Sequence, residues 1–230
     1  MTQRINARET HAREINADFS RAVAIDTEAL PWIASPQAGV ERRMLDRIGG
    51  EVARATTIVR YAPDSRFPTH RHDGGEEFLV LEGIFSDEHG DYPAGTYVRN
   101  PPGSHHAPGS APGCTIFVKL RQMLSEEQTR LVLRPGADWN GEALADGRTR
   151  RLLHACPFGL EVVALERVPP GYDGPMLPMP RGEELLVLEG CLVIEGREWP
   201  SGSWLRRPAG QRTRLQSSVG ATYWVKRGHL

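Results

Sequence analysis

Hydrophobic residues along the chain fall into short runs, each closed by Gly, Pro, Asp or Asn: ATTIVRYAP (Ala55–Pro63), EEFLVLEG (Glu76–Gly83), CTIFVKL (Cys114–Leu120), LEVVALERVPP (Leu160–Pro170) and EELLVLEG (Glu183–Gly190). Runs of this length, rich in β-branched residues and punctuated so often, predict strands joined by tight turns. Two segments alone read as helical. Arg4–Ile15 has the spacing of one or two amphipathic turns, and Ser125–Thr129 opens with a capping serine followed by acids in the first turn. The pattern predicts an all-β protein with a short N-terminal helical segment.

Two of the runs are nearly identical, and they belong to a longer repeat. Sliding the chain by about 107 residues lays Tyr61–Lys119 over Val168–Lys226 without a gap, with about twenty identities in roughly sixty pairs. Gly75–Gly83 falls on Gly182–Gly190, Pro93 and Gly95 on Pro200 and Gly202, and Pro101 and Gly103 on Pro208 and Gly210. Aromatic positions exchange among themselves, Tyr92 with Trp199, Tyr97 with Trp204 and Phe117 with Trp224, as expected if the same pockets are filled twice. The repeat predicts an N-terminal segment (1–24), a first domain (25–123) and a second domain (124–230), each domain long enough to bury a core. Gly83, Gly95 and Gly103 and their equivalents are expected to allow positive φ in turns.

Composition narrows the function classes. The 28 basic and 29 acidic residues among 230 give a net charge of −1, so the basic footprint of a nucleic-acid-binding protein is missing. There is no apolar N-terminal core of a signal peptide and no run long enough to span a membrane. Three dispersed cysteines, Cys114, Cys156 and Cys191, suit neither a disulfide framework nor a four-thiolate zinc site, and the expected location is cytoplasmic. Cys114, at the head of a strand, reads as a small core residue.

Candidate chemistry sits in the first copy. His70 and His72 are two apart on a strand and project to one side, and Glu76 can join them after the Asp73-Gly74-Gly75 turn. Imidazole and carboxylate converging on one face are donors that a first-row divalent metal prefers. A second pair, His105 and His106, follows a Gly/Pro-rich turn, and adjacent strand residues face opposite ways, so only one of them can face the other donors. His89 lies in a turn and reads as solvated.

His70-x-His72-x3-Glu76-x6-Gly83 resembles the first cupin motif at every spacing, and Gly95-x5-Pro101-x-Gly103-x2-His106 resembles the second. Asp64 stands where that motif often has Gly, and Ser110 where it often has Asn. More narrowly, Ala24–Met123 resembles the cupin domain of ChrR-type regulators and the related acetylacetone-dioxygenase-like cupins. The resemblance implies two tandem double-stranded β-helix (jelly-roll) barrels, and a ligand set of His70, His72, Glu76 and His106 for one divalent metal ion per chain, Zn or Fe, Mn or Ni. It also selects His106 over His105, which is then a rim residue. A homodimer is expected from the family and from the edge strands that such barrels must cover.

The second copy carries Leu177, Met179, Arg212 and Thr213 where the first has His70, His72, His105 and His106, so a metal-free barrel is expected there. Glu183 and Glu184 persist without any histidine, which points to a structural use for the Glu-Glu pair. One function implied by the resemblance is a metal-binding sensory cupin like that of ChrR-type anti-sigma factors. Residues 1–24 hold one His and no Cys and are short for the sigma-binding zinc module, so direct sigma-factor inhibition is not expected. The alternative is a non-haem metal-dependent dioxygenase acting on a β-diketone or aromatic ketone, that is, a small-molecule ligand in the first barrel. Sugar-phosphate isomerisation would need a cationic pocket from Arg60, Arg66 and Arg99, two of which have basic counterparts in the second copy.

Overall fold

The computed structural model describes residues 14–50, 52–136, 139–159 and 161–230. Among them the chain is all β-structure. Residues 4–13 of the expected N-terminal helix lie outside the described residues, and Ile15 forms a β-bridge to Arg47. Ser125–Thr129 makes one turn instead of a helix. The Glu127 N–H donates to the Leu124 carbonyl (3.1 Å), and the Glu127 side chain then turns inward to a buried ion pair with Arg99. That tertiary contact outweighs the local capping signal.

Two ten-stranded sheets carry the fold, and their strands follow the same order. The first runs Leu131–Leu133, Tyr97–Asn100, Glu76–Asp87, Cys114–Leu120, Ala53–Tyr61, Val40–Gly49 and Ile33–Ala34. The second runs Val23–Asp26, Ser203–Arg207, Glu183–Ile194, Ala221–Arg227, Val162–Val168, Thr149–Ala155 and Glu142–Ala143. Each copy of the repeat is one jelly-roll barrel, so the chain is a tandem pair.

The first strand of each sheet comes from outside its own barrel. Val23–Asp26, which precedes the first barrel, pairs with Ser203–Arg207 of the second, and Leu131–Leu133, which precedes the second, pairs with Tyr97–Asn100 of the first. Val23 faces Arg206 and Leu131 faces Arg99, repeat equivalents, so the two exchanges are the same contact made twice. An edge strand of each barrel is thereby covered within the chain. Edge cover was one of the two grounds, with the family, on which a homodimer was expected.

Three apolar clusters fill the interior. One lies inside the first barrel around Phe78, Phe85 and Tyr92, and one inside the second around Leu185, Trp199 and Tyr223. The third joins the barrels, with Leu45, Ile58, Phe117, Leu165, Trp204 and Trp224. Phe117 and Trp224, repeat equivalents, meet there edge to face at 4.9 Å.

Two ion pairs cross the same seam. Lys119 Nζ donates to Glu184 Oε2 at 2.5 Å, and Lys226, its equivalent, donates to Glu77, the equivalent of Glu184. All four side chains are buried. Burial alone would raise the two carboxyl pKa values, but the opposing ammonium groups hold both far below the ordinary carboxylate range. The Glu-Glu pair therefore has the structural use expected of it, through its second member.

Gly83 and Gly190 end equivalent half-strands at φ of +70° and +73°. A Cβ on either would stand about 2 Å from a carbonyl oxygen, of Gly113 or of Gly220. Close backbone approach thus adds to the φ requirement at both sites.

Candidate metal centre

His70–His72 pairs with Ser104–His106 as a separate two-stranded ribbon, His106 opposite His70 and Ser104 opposite His72. Strand alternation puts His70, His72 and His106 on one side. Their ring centroids are 4.7, 4.8 and 5.1 Å apart, and one nitrogen from each lies within 4.8 Å of the others. Glu76 begins the next strand, and its Oε2 is 3.6 Å from both His72 Nε2 and His106 Nε2. His105 falls on the opposite face, exposed and paired with Arg71, and His89 is exposed in its turn.

Neighbours fix the orientation of these donors. Asp87 Oδ2 lies 3.3 Å from His106 Nδ1, while Asp87 Oδ1 accepts from the Tyr92 hydroxyl (2.9 Å) and the His89 N–H (2.8 Å). Asn100 Nδ2 donates to Glu76 Oε2 at 3.0 Å, and Arg130 Nε in turn donates to Asn100 Oδ1 at 3.1 Å. His70 Nδ1 is 3.3 Å from the Pro68 carbonyl. With Nδ1 as the donor in His70 and His106, Nε2 is left free on the site side.

Electrostatics follow from the same contacts. Burial pulls His72 below the ordinary imidazole value, more strongly than the Glu76 charge raises it. Burial also acts on His106, but the bond to Asp87 and the charges of Glu76 and Asp87 carry it above that value. Asp87 is held low despite its burial, chiefly by its hydrogen bonds from His106, the His89 N–H and Tyr92. Burial pushes the Cys114 thiol up to about 11, so it is an inert core residue.

The donor set fits a metal ion. His72 Nε2 and His106 Nε2 are both buried without a hydrogen-bond partner, a costly state for a polar atom. Two donors that each sit about 2.1 Å from one ion are roughly 3 to 3.5 Å apart, close to the spacing between these nitrogens and Glu76 Oε2. Beside the ligands lies a cavity of about 420 Å³ whose walls include Val59, Tyr61, Phe67, Ile116 and Val118. Arg99 is committed elsewhere, buried against Glu77, Glu127 and Glu161, and Arg60 is paired with Glu41. Neither supplies the cationic pocket that a sugar-phosphate isomerase requires.

The second barrel keeps the geometry and replaces the chemistry. Leu177 faces Thr213 in the equivalent ribbon, and no group of three metal-ligating side chains forms at that mouth among the described residues. Arg207, the equivalent of Asn100, donates to both Glu183 and Thr213, the equivalents of Glu76 and His106. Arg227 donates to Glu183 as well, at 2.9 Å. Guanidinium groups thus supply the positive charge beside this buried glutamate.

Sequence reasoning missed Asp87 and Asn100. The repeat contained the signal: Asp87 stands opposite Ile194 and Asn100 opposite Arg207, so both change wherever the histidines are lost.

Several solved structures share the fold. A provisionally assigned dioxygenase from Nostoc punctiforme is 14% identical with a TM-score of 0.69, over 92% of this chain and 84% of that one. The bacterial pirin YhhW of Escherichia coli, in complex with nickel(II), is 11% identical with a TM-score of 0.66, over 91% and 99%. AerE from Microcystis aeruginosa is 17% identical with a TM-score of 0.62, over 87% and 96%. At such identities the likeness concerns the fold alone. No curated protein matches the chain. The model of the ChrR cupin-like domain matches residues 20–124 and again 131–230, and the chain belongs to that family, with two copies of its domain.

Proposed function

We propose that the first barrel binds one divalent metal ion through His70, His72, Glu76 and His106, and that the chain serves as a metal-dependent sensory cupin with a small-molecule ligand in that barrel. The observation carrying this reading is the pair of buried imidazole nitrogens, His72 Nε2 and His106 Nε2, left without partners beside Glu76. A bound ion would supply Lewis-acid character and open coordination positions for a ligand's oxygen or nitrogen. The chain's own residues do the rest. Asp87 orients His106, Asn100 steadies Glu76, and Val59, Phe67, Ile116 and Val118 offer an apolar wall to a ligand seated beside them. Zinc, iron, manganese and nickel all accept this donor set. Membership of the ChrR cupin-like family favours the sensory use.

A second reading, a dioxygenase cleaving a β-diketone or aromatic ketone, is favoured by the cavity of about 420 Å³ beside the donors, with Val59, Phe67, Ile116 and Val118 in its wall. Elemental analysis of protein purified without added metal, followed by oxygen uptake with a β-diketone panel, separates the two. Zinc without uptake supports the sensor, and stoichiometric iron with turnover supports the enzyme. Less than a tenth of an equivalent of any divalent metal after reconstitution would sink both. Glu76→Gln tests the ligand set: weaker metal binding is expected, and unchanged affinity would leave a three-histidine site.

A further inference from the structure

We infer that Glu127, His154 and Cys156 form a second divalent-metal site, suited to zinc, at the seam between the barrels. Three elements bring these donors together. His154 and Cys156 are two apart at the end of the strand Thr149–Ala155, the spacing that aligns His70 with His72. A register shift between Leu152 and His154 sends Leu153 into the shared apolar core and leaves His154 beside residues 121–130, the linker between the two barrels. Glu127 comes from that linker, and its Oε1 lies 3.2 Å from His154 Nε2. One ligand atom from each of the three residues lies within 4.8 Å of the other two.

The donor types are the ones zinc selects, a thiolate, an imidazole and a carboxylate, with a fourth position left over. Glu127 and Cys156 are buried, and His154 is partly so. Arg99 grips Glu127 Oε2 and so turns Oε1 toward the imidazole, as a guanidinium orients a ligating carboxylate.

Charge supplies an independent argument. Around this point Arg99 and Lys226 face three carboxylates, Glu77, Glu127 and Glu161. With His154 neutral, two cations against three anions leave an excess of one negative charge, and a Cys156 thiolate would make it two. A divalent ion neutralises that sum. The equivalent place in the other half needs none. There Asp46 takes the place of His154 and pairs directly with Arg206, the equivalent of Arg99.

The seam site does not depend on the first-barrel site, and cobalt(II) distinguishes the two, because only the seam site contains a thiolate. Titration of the full chain with cobalt(II) is expected to develop a near-ultraviolet sulfur-to-cobalt charge-transfer band and to bind two equivalents. Cys156→Ser should lose the band and one equivalent. A Cys114→Ser/Cys191→Ser variant should keep both, and His72→Ala/His106→Ala should keep the band while losing the other equivalent. Absence of the band in the wild-type protein, its survival in Cys156→Ser, or its loss in Cys114→Ser/Cys191→Ser would each overturn the assignment. If Cys156→Ser does not fold, the wild-type spectrum read with that of Cys114→Ser/Cys191→Ser decides, since Cys156 is then the single remaining thiol.

Discussion

His229, next to last in the chain, has a buried imidazole with Nε2 3.0 Å from Glu184 Oε2. Burial is the main reason that it titrates at about 4 instead of 6.5, and the Lys119 and Lys226 ammonium groups add to it against the pull of Glu184. In the unfolded chain the same imidazole takes its proton near 6.5. Between those values the unfolded state binds more protons than the folded one, so stability falls as pH is lowered through the window. At about 1.4 kcal/mol per pKa unit, the loss between pH 7 and pH 4 amounts to about 3 kcal/mol. Glu77 and Glu184, with depressed pKa values, contribute stability that is whole above the ordinary carboxylate value and drains away below it. Their loss therefore follows most of that from His229. His229→Gln keeps a donor for Glu184 but cannot be charged. Urea unfolding of both proteins at several values between pH 7 and pH 4.5 should show the wild type losing about 2 to 3 kcal/mol more than the variant. His72 and His106 are common to both and drop out of the difference. Parallel losses would refute the buried, neutral state of His229.

Three further outcomes are expected. Asp87→Asn removes the charge that orients His106, and chelator competition should show metal affinity in the first barrel falling about 10- to 100-fold without loss of fold; unchanged affinity would remove Asp87 from the site. Lys226→Met leaves Glu77 and Glu161 short of a cation at the seam, and denaturant unfolding should show a loss of about 3 to 5 kcal/mol, with a loss under about 1 kcal/mol contradicting the buried pair. Gly190→Ala forces an L side chain to φ of +73° and against the Gly220 carbonyl. Its cost, read the same way, should exceed about 2 kcal/mol, because the left-handed conformation alone costs 1 to 2.

The first-barrel cluster was legible because its geometry is local. His70, His72 and Glu76 lie within seven residues of one another, and the period of a strand fixes their common face. His106 needed only the alternation rule and the motif spacing. The repeat likewise showed which turns belong to the fold, and Asp64 agrees: at the position where the motif often has Gly, it adopts a φ of 59°. What could not be read was contact across long separations. Nothing near Glu127 announces that it will meet Arg99 on one side and His154 on the other, and its neighbourhood signals a helix start. His154 and Cys156 look scattered in the sequence because a third donor 27 residues upstream completes their set. The exchanged strands are hidden for the same reason. Val23–Asp26 and Leu131–Leu133 carry no mark of which barrel they join, and strand propensity is silent about partners.

Those exchanged strands impose an order of assembly on a chain whose two halves are otherwise alike. The first barrel receives its borrowed strand from Leu131–Leu133, about thirty residues after Tyr97–Asn100, so it is complete soon after its own sequence has left the ribosome. The second barrel waits for a strand made long before it, Val23–Asp26, whose partner Ser203–Arg207 follows about 180 residues later in the chain. Until then that early strand exposes an unpaired edge beside a finished barrel. A protein with near two-fold internal symmetry is thus asymmetric in time, and a truncation late in the second barrel leaves the beginning of the chain without its place.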